Sequence, residues 1–198
     1  MPQALAERVL AARVPFVIAG THGKTTTTTL TAYLLRAAGM DAGFFIGGIP
    51  LNFDRSSRLG SEGAPFVIEG DEYDSAFFEK TPKFWAYRPS AAILTSIEYD
   101  HIDIYPNETT YLNAFREFVR RIPPEGWLFA WAGAPRVRPI HSNRMATTGS
   151  TFVALRAGKK VAATPATKRI TVAAPVTMSP PAQTPFLVVL AVFSSTSM

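Results

Sequence analysis

The stretch 15-PFVIAGTHGKTTTTTLTAYLL-35 leaves this chain few ways to fold. A short, unbroken apolar run ends at a glycine, a second glycine follows three residues later, and a lysine then opens a long helical pattern closed by Gly39. An apolar run of that length without polar alternation suits a strand buried on both faces, and glycine ends it where the backbone must turn. The order strand, glycine turn, helix is also a place to hold phosphate. Glycines let N–H groups close on phosphate oxygens, and the start of a helix adds the positive end of its dipole. In Gly20-Thr21-His22-Gly23-Lys24-Thr25-Thr26, Lys24 supplies a point charge for the β and γ phosphates, and the Thr25 hydroxyl can ligate Mg²⁺. The spacing is the shorter G-x-x-G-K-T, since Ile18 stands where the longer phosphate-loop pattern has its first glycine. Threonine is a poor helix former. Thr25 and Thr26 fall in the first turn, where hydroxyls can serve a ligand, and Thr27 to Thr29 suit close packing on a sheet.

The alternation continues downstream. Residues 3–13 have helical spacing, and 43–48, 65–70, 91–97 and 127–131 read as further strands. Residues 107–122 form an amphipathic helix, with Asn107 as its cap, an apolar stripe at Leu112, Phe115, Phe118, Val119 and Ile122, and a stop at Pro123-Pro124. Apolar strands alternating with helices predict an α/β fold: a parallel-sheet nucleotide-binding domain of the P-loop type, truncated, with an irregular C-terminal tail. The boundary is placed at 135, with 1–135 as the domain and 136–198 as the tail. A sheet of about five strands would leave an unpaired edge.

In such sheets ligands sit beyond the carboxyl ends of the strands. Two more strand ends carry candidate residues. In 68-IEGDEYD-74, Glu69 ends its strand and Asp71, Glu72 and Asp74 crowd the turn, a density of charge that calls for a cation. In 96-SIEYDHIDIY-105, His101 lies between Asp100 and Asp103, either of which could orient it as a metal ligand. The combined expectation is a Mg²⁺–nucleotide site, with metal on Thr25, Glu69 and His101.

Charge divides the chain sharply. Residues 1–130 hold 12 Lys+Arg and all 15 Asp+Glu, whereas 131–198 hold 8 Lys+Arg and no acid. The tail is rich in Ala, Pro, Thr and Ser, so it is read as disordered or as the product of a frameshift. Its basic residues are scattered and nearly free of aromatics, which disfavours a nucleic-acid partner. The lack of cysteine fits a cytoplasmic setting, and the longest apolar run, 186–193, is too short to span a bilayer, so no membrane association is expected.

The run GTHGKTTTT, with 46-IGGIPLNF-53, 69-EGDEYDSAFFEKTPKF-84 and 93-ILTSIEYDHIDIY-105, resembles the central ATPase domain of the Mur ligases over about residues 5–135. Within that family these stretches are most similar to the branch that joins UDP-N-acetylmuramate to a murein tripeptide. The branch that adds L-alanine is the alternative, and a non-catalytic nucleotide-binding fragment is another. The resemblance implies ATP and Mg²⁺ as cofactors, and UDP-N-acetylmuramate and an amine as substrates. It implies that the muramate carboxylate attacks the γ-phosphate to give an acyl phosphate, which the amine then displaces. It assigns the triphosphate to Gly20, Thr21, His22, Gly23, Lys24, Thr25 and Thr26. Lys24 and His101 become the catalytic residues, with one Mg²⁺ on Thr25 and Glu69 and a second on His101. The sugar- and amine-binding domains of the family have no counterpart in this sequence, so the chain alone is expected to lack turnover.

Overall fold

The computed structural model describes residues 2–76, 79–124, 126–131, 135–141 and 152–156. The chain opens with α1 (Pro2–Leu5), which runs into a π-turn (Ala6–Leu10). Strand β1 (Val14–Ala19), helix α2 (Lys24–Ala37) and strand β2 (Gly43–Phe45) follow. A two-residue strand, β3 (Ser57–Arg58), precedes β4 (Pro65–Gly70). A separate hairpin, β5 (Asp74–Ala76) and β6 (Glu79–Pro82), leads through a 3₁₀ turn (Lys83–Ala86) into β7 (Ala91–Leu94). Helix α3 (Glu108–Arg120), β8 (Trp127–Trp131), the short α4 (Arg138–His141) and β9 (Phe152–Arg156) complete it.

The main sheet has the order β3-β2-β4-β1-β7-β8-β9. Its five inner strands are parallel, and β3 and β9 run antiparallel at the two edges. This is the α/β domain expected, with seven strands in place of about five. Strand β9 pairs along the whole of β8 and covers the edge that the sequence reading left open. Both β9 and α4 lie inside the stretch read as tail; residues 142–151 and 157–198 of that tail are outside the described residues.

The central strands are apolar throughout because both faces are covered. Along β1, Phe16 and Ile18 point to one core, with Ala32 and Leu35 of α2, while Val17 and Ala19 point to the other, with Phe115 and Phe118 of α3. Side chains alternate across a pleated strand, so one six-residue run anchors two helical layers. Helix α3 is capped as its sequence predicts: the Asn107 side chain accepts from the Thr110 N–H at 2.9 Å. Its buried face differs by one position, with Tyr111 fully buried and Leu112 only partly. Tyr111 turns inward because its hydroxyl has a partner there, Thr21.

In α2 the threonine run splits by face. Thr25 and Thr26 are exposed, and Thr28 and Thr31 are wholly buried, each with a hydroxyl that has no hydrogen-bond partner. Burying an unpaired hydroxyl costs stability, and valine fills the same shape without it. Thr28→Val should therefore raise the unfolding free energy by about 1 kcal/mol. A urea titration would show this as a higher midpoint with unchanged slope, and a lower midpoint would mean the hydroxyl is satisfied after all.

Candidate functional site

The three loaded strand ends meet where the connection leaving β1 turns one way along the sheet and that leaving β4 turns the other. Gly20 sits at φ +137°, and a Cβ there would lie 2.2 Å from Thr95 Oγ1 and 2.6 Å from Ser96 O. Only glycine can approach the segment after β7 so closely. Gly23, at φ +79°, caps α2 in the left-handed conformation and turns the chain into the helix. The loop between them is laid down on residues 95–98. Thr21 N–H donates to Ser96 O at 2.8 Å, and Thr95 Oγ1 donates to His22 O at 2.6 Å.

Thr21 is tied into the scaffold. Its hydroxyl donates to Glu98 O at 2.9 Å and accepts from Glu98 N–H at 2.9 Å. With its single proton spent, it must accept from Tyr111 Oη, 2.8 Å away. Both the side chain and the amide of Thr21 thus serve the scaffold. The N–H groups left for a ligand are those of the first turn of α2, from Lys24 to Thr26, which have no carbonyl a turn earlier to bond.

Lys24 bends back over its own loop. Its ammonium donates to Gly20 O at 2.7 Å and to both carboxylate oxygens of Glu72, at 2.9 and 3.1 Å. Glu72 is fully buried. Its Oε1 also meets His101 Nε2 at 3.1 Å, and its carbonyl accepts from the Tyr105 hydroxyl at 2.6 Å. His101 itself stands at φ +61°, a strained backbone for a non-glycine residue. The carboxylate on its ring is Glu72, and neither sequence neighbour takes that place. Asp100 accepts from the His101 backbone N–H at 2.7 Å, and Asp103 lines a different groove. The second ring nitrogen, Nδ1, faces the Tyr73 hydroxyl at 2.7 Å.

Thr25 and Glu69 form the other half of the site. Thr25 Oγ1 lies 3.1 Å from Glu69 Oε2, and Glu69 Oε1 accepts from the Gly47 N–H at 2.7 Å. A Cβ on Gly47 would crowd that carboxylate at 3.2 Å, so the glycine keeps the cradle open. A hydroxyl and a carboxylate brought together from two elements suit a hard divalent cation. Among the described residues no group of three or more His, Asp or Glu forms a complete cage.

Lys24, Gly47, Glu69, Glu72, Tyr73 and His101 line one cleft of about 440 Å³. Four carboxylates (Glu69, Asp71, Glu72, Asp100) face it against two lysines, Lys24 and Lys83. Lys83 is held 2.6 Å from Asp71, so both cations are already paired. A larger groove of about 790 Å³ runs along α3, where Arg121 pairs with Glu117 at 3.1 Å and lies over the Trp85 ring. Of the three strand-end clusters only the third reaches it, through Asp103, Ile104 and Tyr105.

The family model for the Mur ligase middle domain matches residues 18–178. The chain belongs to the Mur ligase family. It is 46% identical over 125 residues to the UDP-N-acetylmuramate–L-alanyl-γ-D-glutamyl-meso-2,6-diaminoheptandioate ligase of Escherichia coli, covering 63% of this chain and 27% of that one. It is 47% identical over 105 residues to the UDP-N-acetylmuramate–L-alanine ligase of a Roseiflexus species, covering 53% and 21%. The crystal structure of the UDP-N-acetylmuramate:L-alanyl-γ-D-glutamyl-meso-diaminopimelate ligase of Neisseria meningitides superposes with a TM-score of 0.67 at 36% identity, over 80% of this chain and 56% of that one. The chain thus spans little more than a quarter of the length of the E. coli relative.

In this Mur ligase middle domain, Lys24, Glu69 and His101 line one cleft, and Thr25 bonds Glu69 at 3.1 Å. The sequence reading gave no individual role to Glu72, Gly47, Tyr73, Tyr105 or Tyr111. Glu72 carried a signal, as one of four acids in a turn. The others bond across 22 to 90 residues, and nothing local marks them.

Two stability tests follow from this site. Lys24→Met strands a buried carboxylate, which costs about 3–5 kcal/mol. Adding Glu72→Met should recover most of that loss in chemical denaturation; equal instability of single and double variants would mean the pair does not carry the effect. Burial, with a smaller push from Asp71, raises the Tyr87 phenol from 10.0 to about 12. The folded state holds this proton where the unfolded chain has lost it, so the stabilisation is full below about pH 10 and fades as pH rises towards 12. Urea midpoints should fall over that window, and less steeply in Tyr87→Phe.

Proposed function

We propose that the chain is the nucleotide-binding part of an ATP- and Mg²⁺-dependent ligase that activates the carboxylate of UDP-N-acetylmuramate in the cytoplasm. The observation that carries this reading is the facing pair of half-sites in one cleft. One is a glycine loop and helix start with Lys24, and the other is Thr25 with Glu69. The free N–H groups of the first turn of α2 bind phosphate oxygens, and Lys24 balances charge as it moves to the leaving phosphate. Thr25 and Glu69 would hold Mg²⁺, with His101 near a second ion; bound there, Mg²⁺ neutralises the triphosphate and polarises the γ-phosphate. A carboxylate oxygen then attacks that phosphorus, the bond to ADP breaks, and an amine displaces phosphate from the resulting acyl phosphate to give an amide.

A murein tripeptide is the amine we favour. Identity alone does not separate the two branches, at 46% and 47%. The structural likeness favours the tripeptide branch, with a TM-score of 0.67 against 0.52 for the L-alanine ligase of Thermotoga maritima. We expect the chain by itself to bind nucleotide without completing ligation. Phosphate release with ATP, UDP-N-acetylmuramate and either amine tests that, and release only with L-alanine would reverse the choice of branch.

The acid excess in the cleft sets a signed test of nucleotide binding. ATP without Mg²⁺ should bind weakly, because two of the four carboxylates have no lysine partner. Glu69→Gln removes a cation ligand and one negative charge together. Calorimetry should show affinity for Mg·ATP falling by about tenfold or more, with affinity for metal-free ATP unchanged or raised. Equal losses in both titrations would place Glu69 away from the cation.

A further inference from the structure

The hydrogen-bond pattern around Glu72 determines more than the position of one lysine. An ionised carboxylate can only accept hydrogen bonds. The Lys24 ammonium bridges both oxygens of the fully buried Glu72 at 2.9 and 3.1 Å, the geometry of a carboxylate that accepts on both. The nitrogen of His101 that faces it, Nε2 at 3.1 Å, must therefore carry a proton. In the neutral ring the lone pair then lies on Nδ1, which accepts from the Tyr73 hydroxyl at 2.7 Å. Tyr73 is 40% exposed at the mouth of the cleft, and its ring leans on the imidazole at 4.3 Å between centroids. The buried side of the imidazole is held by Glu72, and its accepting side meets the half-exposed Tyr73 hydroxyl at the cleft.

From this we infer that Glu72 is the positioning residue of the site: it fixes His101 in the Nε2–H tautomer, with Nδ1 presented to a cation, and with the same carboxylate holds Lys24 beside the phosphate loop. The inference rests on the nucleotide–cation reading above and adds the residue that ties its two halves together. Orientation of a metal-binding histidine by a carboxylate is a common physical device, and loss of the carboxylate weakens metal binding by about 10–100-fold. Here the carboxylate comes from the turn after β4, 29 residues before the histidine. The Tyr105 hydroxyl on the Glu72 carbonyl closes the arrangement, so the histidine turn and the acidic turn also hold each other.

Glutamine at this position makes a test that a merely structural role would not pass. Lys24 has only donors, so in Glu72→Gln the amide oxygen takes its shorter contact, at the Oε2 position 2.9 Å away, which leaves the NH₂ at the Oε1 position beside His101 Nε2. That nitrogen then has to accept, and the proton moves to Nδ1. Long-range ¹H–¹⁵N spectra of the full chain near pH 8 read the tautomer directly. The chain has three histidines, and His101 is assigned by the signal lost in His101→Gln. The wild type should show the Nε2–H form, Glu72→Gln the Nδ1–H form, and Glu72→Asp, still a pure acceptor, the Nε2–H form again. An Nδ1–H tautomer in the wild type overturns the proposal without any variant, and so does an unchanged tautomer in a folded Glu72→Gln. Calorimetry with Mg²⁺ and the β,γ-imido analogue of ATP separates this from the broader reading. Glu72→Gln should bind that complex about tenfold or more weakly than wild type. If the wild type does not bind it, the nucleotide reading fails, while the tautomer still decides the role of Glu72.

Discussion

A charged group with no exposure to water, the Glu72 carboxylate, is the constraint around which the site is built. Burying such a group is costly unless it is paired and hydrogen-bonded on every side. Its two side-chain partners come from different parts of the chain: Lys24 opens α2 after the loop that follows β1, and His101 arrives with the turn that follows β7, whose Tyr105 hydroxyl donates to the Glu72 backbone carbonyl. No two of these segments can shift independently without leaving the charge exposed to an apolar surrounding. A buried pair of this kind is weak evidence for stability, because a hydrophobic replacement often does as well. It is stronger evidence for geometry, since it fixes three loops that have no regular secondary structure to fix them.

The sheet supplies the platform for that geometry. Strands β4, β1 and β7 are adjacent and parallel, so their carboxyl ends lie side by side, and the loops that leave them must meet. The two faces do different work. Helix α2 covers one and starts at the cleft, so its first turn lies at the site while Ala32 and Leu35, further along, pack into the core. Helix α3 covers the other and reaches the cleft through Tyr111, whose hydroxyl holds Thr21 in place. Its phenol is pushed up by burial, so the contact stays a neutral hydrogen bond across the ordinary pH range. The glycine loop is therefore held by the segment that follows β7 and, from the side, by Tyr111 of α3.

What could be read from the sequence was the part of this that is local. A strand, two glycines, a lysine and a helix occupy consecutive positions, and their geometry follows from spacing alone. The parallel order of the inner strands followed from their unbroken apolar character. Three kinds of feature were out of reach. Edge elements such as β3 and the β5–β6 hairpin are two to four residues long, below the length at which periodicity says anything. Strand β9 lay in a stretch with no acids and many prolines nearby, where composition pointed away from structure. The histidine's partner was sought among its neighbours, Asp100 and Asp103, because those are what a sequence displays. Folding placed a carboxylate from 29 residues upstream on the ring instead, and used Asp100 on the backbone.

The five threonines from Thr25 to Thr29 carry this lesson in miniature. As a run they look uniform, yet a helix turns each one to a different task. Thr25 faces Glu69 across the cleft, Thr26 is exposed in the first turn, Thr28 is sealed in the core, and Thr29 bonds back to the Thr25 carbonyl at 2.8 Å. Their low helix propensity is offset by packing, since helices in proteins draw most of their stability from a buried face. Branching at Cβ also stiffens the side chain, which lowers the entropy lost when Thr28 is buried against the sheet. The structure explains the hydroxyl of Thr25 and gives none to that of Thr28 or Thr31, which are buried without a partner. Packing against the sheet uses the shape of the inner threonines, and the hydrogen bond to Glu69 uses the hydroxyl of the outer one.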